Sequence, residues 1–170
     1  MQTRGFTLVE VLVAMAVLLT ATAGSVHLLA FATRAMHTAR MQGVSVLAAS
    51  ARLDELRGLR FEFAEDGQRL TDLSSNLAAS PPNDAGSGLA PGGAASLDVN
   101  VSGFVDYLDG SGAWIGEGAA PPPGAAFVRR WAIEAPEDPD LLLLHVVVRP
   151  IANPAAGETH FVTVRLRVQR

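Results

Sequence analysis

Hydrophobic and polar positions fall into distinct regimes along the chain. Positions 6–33 are almost wholly apolar. From Val11 to Thr33 no side chain carries a formal charge, and His27 is the only ionisable one. As a helix, these roughly 23 residues reach about 35 Å, enough to cross a bilayer core of about 30 Å. Glu10 stands at the start of this run, where a hydrocarbon surrounding costs an ionised side chain several kcal/mol. Beyond Thr33 the pattern becomes one-faced. Val46, Ala49, Leu53 and Leu56 recur at helical intervals and predict a stripe packed on a core. Arg52 with Glu55, and Asp54 with Arg57, form i,i+3 pairs, and Gly58 is a stop signal. The pattern predicts one helix over about 6–58, with 6–33 in lipid or a filament core and 34–58 as an amphipathic stem. The small residues Ala21, Ala23, Gly24 and Ser25 would let neighbouring helices approach closely.

The remainder reads as loop and strand. Segment 59–125 is rich in Gly, Pro, Ala, Ser and Asp, with Pro/Gly-rich stretches at 80–88 and 118–124. Between them, Leu97, Val99 and Val101 alternate with polar residues and predict a half-buried strand, which Phe104, Val105 and Tyr107 extend. In 126–170, three segments are strand-like: Phe127–Glu134, 142–149 and 159–169. In the last of these Val162, Val164, Leu166 and Val168 face one way, and Thr163, Arg165, Arg167 and Gln169 the other. That alternation predicts an apolar face on the core and a polar face in water. No βαβ rhythm appears. The predicted class is α+β, a long N-terminal helix packed on an antiparallel sheet of about four strands.

Composition removes several alternatives. The net charge is −4, which argues against a general nucleic-acid binder, and all basic residues are arginine. With no cysteine, a disulfide framework and a cysteine metal site are excluded. No nucleophile motif or zinc-protease motif is present, so no catalytic residue, cofactor or metal ligand is assigned. Three weaker features remain. Asp106 and Asp109, in the run DYLDGSG, could bend around Ca²⁺, although a plain turn with solvated acids explains them. His145 and His160 fall on segments that could be neighbouring strands, but two imidazoles without nearby acids are weak evidence for a metal. Arg129, Arg130, Arg165 and Arg167, with Trp131, could form a nucleic-acid patch, and they also read as exposed arginines that block edge pairing. His27 is either a functional ionisable group in the span or one satisfied by a backbone carbonyl.

The apolar run has three readings: a plain signal anchor, a secretory signal cut after Ala21-Thr22-Ala23, and a more specific one. The third rests on Arg4-Gly5-Phe6-Thr7-Leu8-Val9-Glu10-Val11. This string resembles the type III signal of type IV prepilins and type II secretion pseudopilins. Such signals join a short basic leader ending in Gly to Phe, Thr-Leu and a Glu at the fifth mature position, followed by an apolar helix. The resemblance implies a leader over 1–5, cleavage between Gly5 and Phe6 by a prepilin peptidase, N-methylation of Phe6 and an assembly role for Glu10. A glycine before the scissile bond suits a backbone that must enter a protease cleft extended. The stem Leu47-Ala48…Leu53-Asp54-Glu55-Leu56-Arg57, and the stretch from Asp106 through Val128-Arg129-Arg130-Trp131-Ala132-Ile133, are similar to PilV-type minor pilins, the type IV pilus modification proteins. The resemblance implies a non-enzymatic subunit of the inner membrane with its C-terminal domain in the periplasm. Its partners would be the peptidase/N-methyltransferase, membrane lipid, other minor pilins and the major pilin, with no nucleic acid. The alternatives are an I-type minor pseudopilin and, more distantly, an anchored enzyme or binding domain that does not polymerise.

Overall fold

The computed structural model describes residues 7–92, 95–152 and 157–169. The chain divides into two units, 1–39 and 40–170. A single helical element, α1 (Leu8–Gly58), runs through both. In the first unit, Thr7 caps it: its carbonyl accepts from the N–H of Glu10 and Val11, and its hydroxyl accepts from Glu10 N–H at 3.3 Å. Thr7-Leu8-Val9-Glu10 has the Ser/Thr-x-x-Glu form of a capping box, with Glu10 in the first turn where the helix dipole favours negative charge. The apolar stretch is long enough to cross a membrane, and its window is wholly exposed. Its hydroxyls bond to the helix's own carbonyls: Thr20 to Ala16 and Val17, Thr22 to Leu18 and Leu19, Ser25 to Ala21, and Thr33 to Leu29. These polar atoms therefore need no water, as a lipid surrounding requires.

In the second unit, α1 buries Ser45, Ala48, Ala49, Arg52, Leu53 and Leu56. The predicted stripe is thus displaced at its start: Val46 is exposed, and Ser45 and Arg52 take the core face. Arg52 belongs there because the domain supplies it with a buried carboxylate, described below.

After α1 come β1 (Phe61–Phe63), β2 (Arg69–Thr71), the short helix α2 (Ala95–Asp98), β3 (Val105–Leu108) and β4 (Trp114–Glu117). The chain ends with β5 (Phe127–Glu134), β6 (Leu141–Pro150), β7 (Thr159–Leu166) and β8 (Val168–Gln169). A five-stranded antiparallel sheet has the order β4-β3-β5-β6-β7, and a small sheet has the order β2-β1-β8 with β1 and β8 parallel. The α+β architecture is as expected, with five strands in the main sheet. Phe127, Trp131 and Ile133 of β5 and Leu142, Leu144, Val146 and Val148 of β6 form its inner face, which shares one core with Ala49, Leu53 and Leu56 of α1.

Two strand expectations are corrected. Leu97, Val99 and Val101 do not form a strand. Leu97 lies in α2 and packs on Ala132 and Val147 of the outer sheet face, while Val99 is exposed. Ser96 anchors that turn by donating to the Trp131 carbonyl at 2.9 Å. In the last strand the alternation holds but its direction is reversed. Val162, Val164, Leu166 and Val168 are 51–62% exposed, and Phe161, Thr163 and Arg165 take the more buried positions. The reason is the carbonyl end of α1. Arg165 donates to Leu56 O and Leu59 O, and Arg57 donates to Thr163 Oγ1 at 2.8 Å. Gly58 does not stop the helix by a left-handed turn, since it is not among the glycines with positive φ. Arg165 satisfies the orphan carbonyls instead.

Candidate functional site

The N-terminal site lies on the first unit and is reached from its helix. Gly5 and Phe6, the predicted scissile pair, lie outside the described residues, as does the rest of the leader. Thr7 caps α1, which starts at Leu8. Glu10 follows on the exposed surface of the first turn, and the helix continues without proline through an apolar stretch that carries His27 on its exposed surface. The arrangement is a polar, carboxylate-bearing helix start immediately after a Gly-Phe junction, followed by a membrane-length run. Residues 1–26 match the prokaryotic N-terminal methylation motif. This prepilin-like signal supports a type IV pilin- or pseudopilin-like protein, a structural subunit processed by a prepilin peptidase. The apolar helix behind the signal fits a membrane anchor. No curated protein sequence and no solved structure matches the chain.

The weaker candidates in the second unit resolve differently. Asp106 and Asp109 do not converge on a cation site. Asp109 organises the β3–β4 hairpin: its Oδ1 accepts from Ser111 N–H and Oγ at 2.7 Å each and from Ala113 N–H at 3.0 Å. These bonds, led by the Ser111 hydroxyl, hold its carboxyl below the usual aspartate range. Gly112, at φ +89°, closes the turn in a conformation that suits glycine. Asp106, three residues earlier and fully buried, faces inward between two guanidinium groups. Arg129, its direct cross-strand partner, donates from Nε to Oδ1 at 3.0 Å and from Nη2 to Oδ2 at 2.7 Å. Arg52 donates from Nη2 to Oδ2 at 2.6 Å.

Arg52 is the centre of a buried polar cluster that sequence reasoning missed. It stacks over Trp131 at 4.3 Å, bonds the Leu77 carbonyl, and meets Glu55 at 3.0 Å. Its pKa is lowered to about 10 by loss of solvent and by the Arg129 charge, against the pull of Asp106 and Glu55. The i,i+3 spacing to Glu55 was visible in the sequence, but no periodic signal marks the partner on β3, more than fifty residues away.

The arginines and Trp131 do not gather on one exposed face. Arg129 and Trp131 are buried. Arg130 ties β5 to the α2 region through Asn100 Oδ1 and the Leu97 carbonyl. Arg165 donates to the backbone carbonyls of Leu56 and Leu59, and Arg167 donates to Leu70 O at 2.7 Å and to the Asp140 carboxylate at 3.0 Å, and lies 3.9 Å over the Phe61 ring. The reading of these arginines as exposed edge blockers is corrected as well, because each has an acceptor that only the folded chain brings within reach.

His145 and His160 do come together, from β6 and β7. Nδ1 of His145 lies 3.4 Å from Nε2 of His160. Glu134 on β5 lies 3.7 Å from the other nitrogen of His145, Nε2. Among the described residues, no group of three or more His, Cys, Asp or Glu side chains is placed to hold a metal.

Proposed function

We propose that this chain is a minor type IV pilin, a subunit that primes or modifies pilus assembly and adhesion and performs no catalysis. The observation that carries the reading is the order Gly5-Phe6-Thr7-Leu8-Val9-Glu10 joined to an uninterrupted apolar helix. The reading takes Gly5–Phe6 as the bond cut by the prepilin peptidase and Phe6 as the methylated terminus. The subunit then waits in the inner membrane with residues 40–170 in the periplasm, and is extracted into a filament or its initiating complex. Similarity of the stem and of the 106–133 stretch to PilV-type subunits favours a pilus over a secretion role. The exposed apolar row Val162, Val164 and Leu166 supports a protein that works in contact with others.

Glu10 is given an assembly role. Cleavage creates a cationic amine at Phe6, and an amine and a carboxylate in a poorly hydrated filament core are each costly alone. Paired, they offset much of that cost; removing one partner of a buried pair costs about 3–5 kcal/mol. Thr7 already supplies the hydroxyl half of the capping box, and Glu10 is exposed on the single chain. Its carboxylate is therefore available to the terminus of an adjacent subunit, where it would set axial register.

The test has two arms, read by intact-protein mass and by co-purification with filament subunits. Gly5→Leu should block processing, so a mature terminus at Phe6 in that variant refutes the cleavage assignment. Glu10→Val should be processed and inserted normally but should incorporate poorly. Full incorporation of processed Glu10→Val removes the pairing role. Recovery of the wild-type chain with secretion pseudopilins, and not with pilins, assigns it to the secretion apparatus.

A further inference from the structure

The two edges of the main sheet are built differently. β4, at one edge, is four residues long and ends in Glu117. Its ladder with β3 is broken by a bulge at Tyr107/Leu108. Pro122 lies over Gly116, where an added Cβ would come within 3.2 Å of the proline ring. Short length, a bulge, a charge and a covering segment all keep an edge strand from pairing with another chain. β7, at the other edge, is eight residues long and contains no proline or glycine. It pairs with β6 from Thr159 to Leu166 without a bulge. Its one formal charge, Arg165, is taken up by the carbonyls of Leu56 and Leu59.

The register shows which backbone groups are open. Arg167 N–H donates to Asp140 O, one step beyond the Leu141–Leu166 pair, so the odd-numbered residues of β7 bond to β6. His160, Val162, Val164 and Leu166 therefore turn their N–H and C=O groups outward. No backbone partner meets them among the described residues. Val162, Val164 and Leu166 are also exposed in their side chains. From Val168 onward β1 occupies the edge, so the open run is 160–166.

We infer that this run is an interface between two copies of the chain, in which β7 pairs antiparallel with β7 of a second copy about a two-fold axis at Thr163. Such an interface requires a strand that complements itself, and the open run does. Centred on Thr163, the pairing sets His160 opposite Leu166, Val162 opposite Val164, Phe161 opposite Arg165 and Thr163 opposite its own copy. The outward N–H and C=O groups then meet one another, no like charges face each other, and the apolar row continues across the junction. Paired β-branched side chains and paired threonines are favourable cross-strand neighbours. The neighbouring axes fit less well. An axis at Val164 sets His160 against Val168, which β1 already holds. An axis at Val162 sets Leu166 against Glu158, which lies outside the strand. A run of this length supplies far fewer residues than the roughly 20–30 a side of a standard stable interface, so the association is reversible and concentration-dependent.

The experiment is sedimentation of the detergent-solubilised full chain over a range of concentrations, with folding checked by circular dichroism. The expected result is a reversible monomer–dimer equilibrium. Val164→Pro removes an outward N–H and leaves the ladder to β6 whole, so it should fold as wild type and stay monomeric. Val162→Lys combined with Val164→Lys sets like charges opposite each other and should have the same effect. Mixing that chain with one carrying Val162→Glu and Val164→Glu should restore a mixed dimer. Register is read by disulfide formation, because the chain has no cysteine of its own. Thr163→Cys places two thiols in a non-hydrogen-bonded pair with Cα atoms about 4.5 Å apart, within disulfide reach, so mild oxidation should link the dimer. Val162→Cys alone should not link, because its own copy stands a diagonal step away, whereas a mixture of Val162→Cys and Val164→Cys chains should. A wild-type chain that is monomeric at every concentration leaves the edge to a strand of another protein and overturns the inference. A dimer that survives both Val164→Pro and the lysine pair places the contact elsewhere and also overturns it, as does a Thr163→Cys dimer that fails to link. None of these readouts depends on filament incorporation, so the outcome is independent of the assembly reading.

Discussion

Replacing Asp106 by alanine would leave Arg52 and Arg129 buried without the carboxylate they share. Its side chain is fully buried and takes contacts from both guanidinium groups at 2.6 and 2.7 Å. Removing one member of such a cluster uncovers charge that water cannot reach, at a cost of about 3–5 kcal/mol. Arg52→Met is the milder change. It keeps an aliphatic body in the core and leaves the two-bond Arg129–Asp106 pair intact. Denaturant unfolding of the two variants should therefore rank Asp106→Ala well below Arg52→Met. Equal loss in both would show that Arg52, and not the shared carboxylate, anchors the cluster. Residue identity alone was a poor guide here. Arg52 sits among surface-type residues in the stem, and an arginine at that spacing ordinarily points to solvent. It turns inward because β3 presents a carboxylate and β5 presents an indole ring at one depth.

At the scale of elements, β7 shows how far period-two alternation can be trusted. The alternation is present in the structure, yet the apolar row faces outward. A strand laid beside a helix end must meet unpaired carbonyls, and arginine reaches them while its stem covers aromatic carbon, as Arg165 and Arg167 do over Phe61. Arg165→Met should retain that cover and lose the donors to Leu56 and Leu59, costing about 1–3 kcal/mol and loosening the last turn of α1. Faster amide exchange confined to that turn and to β1 would confirm the capping role. The corner beyond β7 is sensitive to acid. Asp140 accepts from Arg69 at 2.7 and 3.1 Å and from Arg167 at 3.0 Å. The Arg69 bond and, beyond it, Arg167 hold its pKa below the ordinary aspartate value. A depressed carboxylate pKa contributes stability above the unfolded value, about 4, and loses it as pH falls through the folded value. The β2-β1-β8 sheet should accordingly loosen below about pH 4. Asp140→Asn should show the same loosening at neutral pH. An unchanged exchange pattern in that variant would exclude Asp140 as the cause.

For the whole molecule, the main core cluster belongs to the second unit. Every residue of the main core cluster lies between Ala48 and Val148, and the partly buried residues against it begin at Met41. Removing residues 1–32 should thus leave a folded, water-soluble α+β domain. Circular dichroism with both helix and strand signatures and a cooperative thermal transition is the expected outcome. A non-cooperative melt would mean that the apolar half contributes to the fold. The exposed row Val162, Val164 and Leu166 should make that fragment concentration-sensitive, which sedimentation would detect.

Elements whose signals are local were legible along the chain. The apolar run and its one-faced continuation specify α1, because helix periodicity and the absence of proline act over one or two turns. The strands of 127–166 follow from β-branched, alternating runs, and the N-terminal methylation motif over residues 1–26 is a contiguous string. Long-range contacts set which face of β7 is inside, made Arg52 a core residue, turned 95–98 into a helical turn on the sheet, and put Glu134 behind the His145–His160 pair. Each of these depends on a partner far away in sequence. The energy of a buried guanidinium, a capped helix end or a paired imidazole resides in that partner, so no window of neighbouring residues contains it.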